Sequence, residues 1–397
     1  MFRVFLTSFT LLVCWSTTSH AYPWMIRYGV AKCASCHTDP MGGETLTGMG
    51  RVASDTLLST RWDGGHDPTT NAMLFYGVEE PSWLRFGGSV RVMDALYKFP
   101  GSGNSGSYTW FPMQADAYGQ FMFGHFRVGG SLGASRVPAG SQYAKPAQIT
   151  QNNGDNQWNL ISRSHWIGYD ISDHMLLRAG RLNLPFGIRI PEHVMWARVA
   201  TNTDREHSQE HGLAFDYYEG RFRGEVMAIL GNYQISPDRF RERGYSLYGE
   251  YLLGPRAAVG VSSLITHTAA DYLLAGSPEN TRQAHGLTGR VSPWTPLVFL
   301  VEGDALLSTQ TNVGYVGMFQ TDIEAVRGLH FMETLELLDN GKSKAAGATT
   351  VPGSGQAQFG DWLSINWFFF THFDARVDIV FRQATPTTLQ SQIHYYF

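Results

Sequence analysis

The chain has 397 residues, with 34 acidic and 30 basic side chains and a formal net charge of -4. Such a small charge argues against nucleic acid as a partner. Glycine is abundant, with 43 residues, and aromatic residues make up 13%, whereas charged residues make up only 16%. This balance is typical of amphipathic strands rather than of a soluble apolar core, and it favours an all-β protein.

Residues 1–21 have the pattern of a secretory signal peptide. A single basic residue, Arg3, precedes an apolar run over residues 4–14, and residues 19–21 fit a small-x-small cleavage site. We therefore expect export and a mature chain that begins near Tyr22. No later window approaches the roughly 20 apolar residues that a membrane-spanning helix needs.

The most specific motif of the chain follows directly. Cys33, Cys36 and His37 form a C-x-x-C-H sequence, which is the attachment motif of a c-type haem. The two thiols would form thioether bonds with the haem, and the histidine would bind its iron as the proximal ligand. We therefore predict one covalent haem c on these three residues, with His37 as the metal ligand.

Two other interpretations of these residues stay open. Zinc normally takes four nitrogen or sulfur ligands, and no further cysteine follows in the mature chain to complete such a site. A disulfide between Cys33 and Cys36 would satisfy both thiols but would leave His37 without a role. The expected export of the chain favours haem over both alternatives.

Residues 22–81 are predicted to form the haem-bearing segment. It contains Gly-rich turns and one short helix over residues 50–59. About 60 residues are few for an independent core. We therefore expect this segment to fold against its haem and against the remainder of the chain, residues 82–397.

From residue 83 onward, apolar and polar residues alternate in sixteen segments typical of β-strands. The segments start near residues 83, 110, 125, 157, 173, 211, 221, 244, 256, 283, 296, 314, 328, 359, 372 and 386. Single-chain bacterial barrels have an even number of strands. Residues 82–397 are therefore predicted to form a transmembrane antiparallel β-barrel of about 16 strands. A soluble sandwich also has alternating strands, but the strand number, the export signal and the aromatic C-terminus favour the barrel.

The connections between these strands alternate between short turns and long links. The long links include residues 98–109, 137–156, 184–210, 268–282 and 339–358. Outer-membrane barrels join their strands by short periplasmic turns and longer external loops. We therefore expect the barrel in the bacterial outer membrane, with the haem segment in the periplasm or in the lumen.

The last two strands indicate which face meets lipid. In the first of these strands, one face carries Phe373, Val377 and Ile379. The opposite face carries Asp374 and Arg376. Such alternation predicts an apolar outside and a charged, water-filled inside. The final strand repeats the pattern, with Gln390, Gln392 and His394 predicted to face the lumen. Lumen carboxylates opposite arginines are interpreted as structural ion pairs.

The link over residues 184–210 is the longest polar one. A loop of this length could fold into the lumen as a constriction. Its end, from His207 to His211, matches the H-x-x-E-H pattern of inverted zinc peptidases. That chemistry needs both histidines on one helix face, and a strand follows too soon for such a helix. We therefore expect a solvated loop, and a weak divalent-cation or donor-docking site stays open as the alternative.

Taken together, one signal peptide, one haem motif and one barrel resemble the fused outer-membrane cytochrome-porins, a family that includes iron(II) oxidases of iron-oxidising bacteria. The resemblance is most specific from Pro23 to Arg51. The matching features are the proline–aromatic pair Pro23-Trp24, the C-x-x-C-H motif and the pair Gly50-Arg51. It implies that electrons pass between an extracellular donor or acceptor and a periplasmic carrier through the haem. Whether the protein is also an oxidoreductase stays open, and we adopt the interpretation as an electron carrier.

The alternative function is a diffusion porin whose haem segment acts as a plug, a tether or a redox sensor. The charged lumen and the long external loops suit this alternative equally well.

The second axial ligand of the haem would set much of its chemistry, since methionine raises the reduction potential and an open site admits small molecules. The candidates near the motif are Met41, Met49 and His66. A lumen histidine such as His165 or His211 is a further candidate.

Overall fold

The computed structural model describes residues 22–30, 32–60, 80–97, 107–137, 149–150, 157–204, 208–344, 355–383 and 385–397. Helices within these residues are short. They comprise 3-10 helices at Pro23–Tyr28, Cys33–Ser35 and Asp238–Phe240, the helices α1 (Gly48–Ala53) and α2 (Trp196–Thr201), and a π-helical turn at Ser54–Leu58 that continues α1. In this described part of the chain, each helix is too short or too polar to cross a membrane.

Strands make up the rest of the described architecture. They are β1 (Leu84–Tyr97), β2 (Ser107–Phe123), β3 (Phe126–Val137), β4 (Gln157–Ile161), β5 (His165–Ser172), β6 (Met175–Leu182), β7 (Glu210–Tyr217), β8 (Phe222–Ile229), β9 (Arg243–Gly254), β10 (Ala257–Thr268), β11 (Asn280–Trp294), β12 (Leu297–Ser308), β13 (Gly314–Val326), β14 (Leu329–Asp339), β15 (Gln358–Phe370), β16 (Phe373–Arg382) and β17 (Thr388–Tyr396). Each strand pairs antiparallel with its neighbours, and β1 pairs with β17 so that the sheet closes. Closure removes every sheet edge, as a membrane barrel requires.

The strands β4 and β5 are two parts of one barrel strand, because both pair with β3. The chain leaves the ladder between them at residues 162–164. Ser131 of β3 repairs the gap, since its Oγ accepts hydrogen bonds from the backbone N–H groups of Arg163 at 2.9 Å and Ser164 at 3.0 Å. The barrel therefore has sixteen strands, as predicted.

The predicted strand positions are confirmed, since each observed strand starts within three residues of its predicted start. The break at residues 162–164 was not predicted. Its cause is a tertiary contact: Arg163 turns inward and pairs with Asp116 of β2 at 2.5 Å. Alternation along a single strand carries no signal for such a pairing.

The two faces of the barrel differ as the alternation predicts. Large apolar side chains cover the outside, among them Leu132, Ile167, Leu213, Val226, Val261, Leu287, Ile323, Leu335 and Val377. Charged and amide side chains face the inside and are buried, among them Gln114, Asp116, Arg178, Asp216, Arg223, Glu250, Arg290, Glu302, Asp322 and Glu336. An apolar exterior around a polar interior is the pattern of outer-membrane barrels.

Residues 22–60, here named the plug, lie in the lumen at the end of the barrel where the short turns are. The backbone N–H of Thr60 donates to the carbonyl of Phe368 at 2.9 Å. The hydroxyl of Thr371, in the short turn after β15, donates to Asp55 at 2.7 Å. The predicted lumen location of this segment is thus observed for its described residues.

A second segment enters the lumen from the opposite end. Residues 183–204, here named the inward loop, connect β6 toward β7 and include α2. The backbone N–H of Gly187 donates to Ser262 at 2.9 Å, and that of Ile188 donates to Glu302 at 2.7 Å. The expectation of a solvated loop is wrong for these residues, which instead enter the lumen as the constriction that a loop of this length could form.

The inward loop is buried because it is apolar where it passes through the barrel. Leu184, Phe186, Ile188, Ile190, Met195 and Trp196 are all buried. They join one core cluster with Trp24, Met25 and Ile26 of the plug. The core of this barrel is therefore formed in its lumen, where the two inserted segments meet the wall.

Arg27 provides the most deeply buried charged contact between plug and wall. Its side chain is 0% exposed and pairs with Asp322 at 2.9 Å and Glu324 at 3.2 Å, both on β13. A buried guanidinium needs such partners, because an unpaired buried charge is strongly unfavourable.

Replacing Arg27 by Leu should detach the plug from the wall. The change takes the guanidinium away from two buried carboxylates, at a cost of about 3–5 kcal/mol, so the plug should open roughly 100- to 5,000-fold more often. Cleavage of the plug after Lys32 by a lysine-specific endoprotease measures this opening, because the substitution neither adds nor removes a lysine. The control is Arg243→Leu, since Arg243 and Asp238 form an exposed pair that solvent screens. Equal cleavage rates in both variants would contradict the anchoring role.

Candidate functional site

The C-x-x-C-H motif folds as one tight turn inside the plug. Cys33 starts a 3-10 turn, and its carbonyl accepts the backbone N–H groups of Cys36 at 3.0 Å and His37 at 2.9 Å. Behind the turn lies α1, where a Cβ at Gly50 would stand 2.4 Å from the Cys36 carbonyl oxygen. Only glycine allows this close approach, so α1 fixes the motif in place.

The loop after the motif returns to it. His37 forms an antiparallel bridge with Leu46, and the chain reverses between them through Gly42 and Gly43, whose φ values are 101° and 118°. Residues that carry a side chain rarely adopt this backbone conformation. The Gly-rich stretch therefore serves to turn the backbone close beside the cysteines.

Both cysteines are buried, and they are not joined as a disulfide. Arg223 of β8 donates to Cys33 Sγ at 2.8 Å, so the motif contacts the barrel wall directly. Burial, together with the nearby Cys33, raises the pKa of the Cys36 thiol. The site therefore disfavours a charged thiolate at Cys36.

A cavity of about 880 Å3, counted with its open solvent, lies next to the motif. The plug, the inward loop and the barrel wall each form part of it. Its lining includes Cys36, His37, Gly43, Glu44 and Leu46 of the plug, Arg189, Ile190 and Pro191 of the inward loop, and Ser89, Arg91, Tyr118, His394 and Tyr396 of the wall. About 110 Å3 of this space is open to water-sized molecules, so the three parts of the chain pack closely around the motif.

The pKa values of two carboxyl groups beside the cavity are shifted in opposite directions. Burial acts to raise the pKa of Asp39, but the guanidinium groups of Arg178 at 3.3 Å and Arg189 at 3.9 Å outweigh it and lower that pKa. Burial and the negative charge of Asp39 raise the pKa of Glu44, which accepts a hydrogen bond from Trp166. The ionised Asp39 thus ties the plug to β6, whereas Glu44 favours its neutral form.

The described candidates for a second axial ligand are not among the residues that line this cavity. Met41 is buried but is not part of the described lining, and Met49 is 39% exposed. His66 lies outside the described residues. His165 and His211 lie on the outer face of the barrel, where their Nε2 atoms are 3.1 Å apart.

The expectation that His165 or His211 faces the lumen is therefore wrong. The reason is strand register. Trp166 in β5 and Gly212 in β7 face inward, and successive residues of a strand face opposite sides, so the adjacent His165 and His211 point outward. The apolar–polar alternation is locally inverted here, because a tryptophan faces in and a histidine faces out.

The residue that sequence reasoning did not connect with the motif is His394. It lines the cavity from β17, its Nδ1 lies 2.9 Å from Asp374 Oδ2, and its Nε2 lies 3.0 Å from Ser89 Oγ. The sequence placed His394 on the lumen face. What it could not show is that β17 and the haem motif meet in space.

The H-x-x-E-H pattern forms no helix in the described residues. Glu210 and His211 begin β7 and point to opposite faces, while residues 205–207 lie outside the described part. Within that described part, no three His, Cys, Asp or Glu side chains group closely enough to hold a metal ion.

Glu44→Gln should stabilise the docked plug at neutral pH. A carboxyl group with a raised pKa in the folded state holds its proton where the unfolded chain, with a glutamate pKa of about 4.3, has lost it. Stability contributed by this group is thus present at low pH and is lost as pH rises through the folded pKa.

The test is urea unfolding of the solubilised protein, followed by tryptophan fluorescence at pH 7.5 and near pH 4.5. The variant should resist urea better than the wild type at pH 7.5, and the difference should shrink at the lower pH. Glu219→Gln, in an exposed short turn, is the control and should show no such trend. A Glu44→Gln effect that grows toward low pH would contradict the assigned direction.

No protein-family model matches the chain, and no curated protein matches it either. Solved structures do match. The outer-membrane-expressed OmpT of Vibrio cholerae shares 9% identity, with 81% of this chain and 100% of that one covered and a TM-score of 0.56. OmpF of Salmonella typhi in complex with daunomycin shares 11%, with 79% and 97% covered and a TM-score of 0.56. An anion-selective porin from Comamonas acidovorans shares 12%, with 79% and 99% covered and a TM-score of 0.52.

Identities this low establish the fold and nothing finer. The fold agrees with the chain's own features, namely a closed sheet of sixteen antiparallel strands with an apolar outside. The protein is an all-β outer-membrane barrel with the fold of the porins.

Proposed function

We propose that the protein is an outer-membrane electron carrier in which the plug holds one covalent haem c inside a porin-like barrel. Electrons would pass through this haem between an extracellular donor or acceptor and a periplasmic carrier. The observation that supports the proposal most is the position of Cys36 and His37. Both residues line a cavity inside the lumen and do not lie in a tail outside the barrel.

The residues around the cavity suit a haem. Cys33 and Cys36 would hold it by thioether bonds, and His37 would be its proximal ligand. A thioether cannot ionise, so it is compatible with a site whose burial raises the pKa of the Cys36 thiol. Leu46, Ile190 and other apolar lining residues would contact the ring, and Arg91 and Arg189 offer cations for its carboxylates. The chemistry that the haem would supply is one-electron exchange.

The barrel would keep this group at a fixed place in the membrane. Arg27 and Asp55 tie the plug to the strand ends, and Asp39 ties it to Arg178. These contacts hold the motif against the wall and exclude water from the core of the lumen.

A second cavity gives this site a neighbour toward the inward loop. It measures about 490 Å3 with open solvent included and shares Tyr22, Arg91, Pro191 and His394 with the first. Polar side chains such as Gln392 line it. About 40 Å3 of this space is open to water-sized molecules, which is enough for a few waters beside the haem.

A diffusion porin with a haem-bearing plug is the second candidate. The likeness to porins favours it, since the fold is that of outer-membrane channels. The filled lumen favours electron transfer, because the plug and the inward loop occupy the space that an open porin leaves to water.

The first expected result concerns haem attachment. The protein, produced with haem-attachment machinery and extracted from outer membranes, should carry one haem that survives denaturation. Cys33→Ser with Cys36→Ser should lose all covalent haem, whereas His211→Gln on the outer face should keep it. Pyridine haemochrome spectra with denaturing gels measure both. A wild type without covalent haem would remove the proposal.

The second expected result separates the two candidate functions. A membrane-impermeant reductant added to intact cells should reduce the haem without lysis, while the purified barrel in planar bilayers should conduct little. Arg27→Leu, which releases the plug, should raise the conductance and serves as the control for an opened lumen. Open-porin conductance of the wild type, together with haem reduction only after lysis, would favour the diffusion porin instead.

A further inference from the structure

His394 approaches the candidate haem cavity from the barrel wall, whereas His37 approaches it from the plug. They are the two histidines among the described residues that line the cavity, and no methionine belongs to that described lining. Haem iron in electron-carrying sites is commonly held by histidine or methionine. Among the described lining residues, His394 is therefore the one besides His37 that is of the usual type for an axial position.

The surroundings of His394 orient its ring as metal-binding histidines are oriented. Its Nδ1 lies 2.9 Å from Oδ2 of Asp374, which is buried beside it on β16. With the Nδ1 proton donated to the carboxylate, Nε2 carries a lone pair. Carboxylate–histidine pairs of this kind fix the tautomer and raise the basicity of a metal ligand.

The Nε2 atom also lies at the cavity. Its hydrogen-bond partner at 3.0 Å is the hydroxyl of Ser89 on β1, which lines the same cavity. A serine hydroxyl can turn away and bond elsewhere, so binding of Nε2 to a metal would replace this neutral hydrogen bond.

The other cavity residues with ligating atoms have different contacts. The Tyr396 hydroxyl is 3.0 Å from Ser54 Oγ, and the Tyr118 hydroxyl donates to Asp116 at 3.2 Å. Both phenols are therefore engaged by neutral or acidic partners that do not prepare them as metal ligands.

From this geometry we propose that His394 is the second axial ligand of the haem, with Asp374 as the positioning residue that orients it. The proposal rests on the proposed function. It makes the site bis-histidine, which gives a lower reduction potential than a histidine–methionine site. It also makes the haem a cross-link between the plug, through Cys33, Cys36 and His37, and the closing strand of the barrel.

The test uses the haem-loaded protein and four variants: His394→Ala, His394→Met, Asp374→Asn and the outer-face control His165→Ala. The readouts are the ferric spin state by absorption and electron paramagnetic resonance, carbon monoxide binding by the ferrous form, and the midpoint potential. None of these depends on electron delivery by a partner protein.

The wild type and His165→Ala should be low-spin and should not bind carbon monoxide. His394→Ala should become high-spin and bind carbon monoxide, and added imidazole should restore the low-spin spectrum. His394→Met should stay low-spin with a higher potential. Asp374→Asn keeps the ligand, so it should stay low-spin with a more modest rise in potential. If His394→Ala does not fold, this variant still tests the assignment.

Three results would overturn the assignment. A low-spin His394→Ala protein that ignores carbon monoxide would exclude His394 alone and leave the haem proposal intact. A wild type that already binds carbon monoxide would show an open axial position. A wild type without covalent haem would instead overturn the proposed function, and the ligand assignment with it.

Discussion

The structure depends on the pairing of charges that the filled lumen takes away from water. In a water-filled channel, charged side chains on the inner wall need no partner, whereas burial makes each unpaired charge costly by several kcal/mol. Here Arg178 pairs with Asp39 of the plug and with Asp216 and Glu225 of the wall. The plug can therefore occupy this lumen only in the position where such pairs form.

This constraint distinguishes the plug from a flexible tail. Hydrophobic contacts alone would let residues 22–60 slide along the lumen, because burial of apolar area has no direction. Ion pairs and hydrogen bonds at Arg27, Asp39 and Asp55 fix both its depth and its rotation. We take these contacts as the source of positional specificity, a role that buried polar groups have in some other proteins. Their net contribution to stability is a separate matter.

The sequence allowed the barrel to be predicted closely, because each lipid-facing strand must satisfy the same alternation rule. That rule acts locally, so strand starts and the inward position of His394 follow from a few residues each. The inward loop was not predictable in this way. Its apolar residues, such as Phe186 and Trp196, are spaced irregularly and have no periodicity that would indicate burial.

Contacts between distant parts of the chain were equally beyond local patterns. The approach of His394 to His37 depends on barrel closure, on the depth of the plug and on the loop that covers the cavity. The predicted orientation of His165 and His211 was wrong for a related reason. Trp166 takes the inward position, where its indole N–H donates to Glu44 of the plug. In both cases, the plug decides the local structure of the wall.

The same dependence bears on how a porin fold could acquire redox chemistry. A barrel wall offers inward side chains at every second residue, so it can supply a histidine, a carboxylate to orient it and arginines without any change of backbone. What the wall does not supply here is a covalent attachment point, because the two cysteines belong to the segment inside the lumen. The plug brings Cys33, Cys36 and His37 to that place, and its buried ion pairs keep them there. A haem site shared in this way would lose its geometry whenever the plug moved, so the contacts that close the lumen would also set the redox properties of the protein.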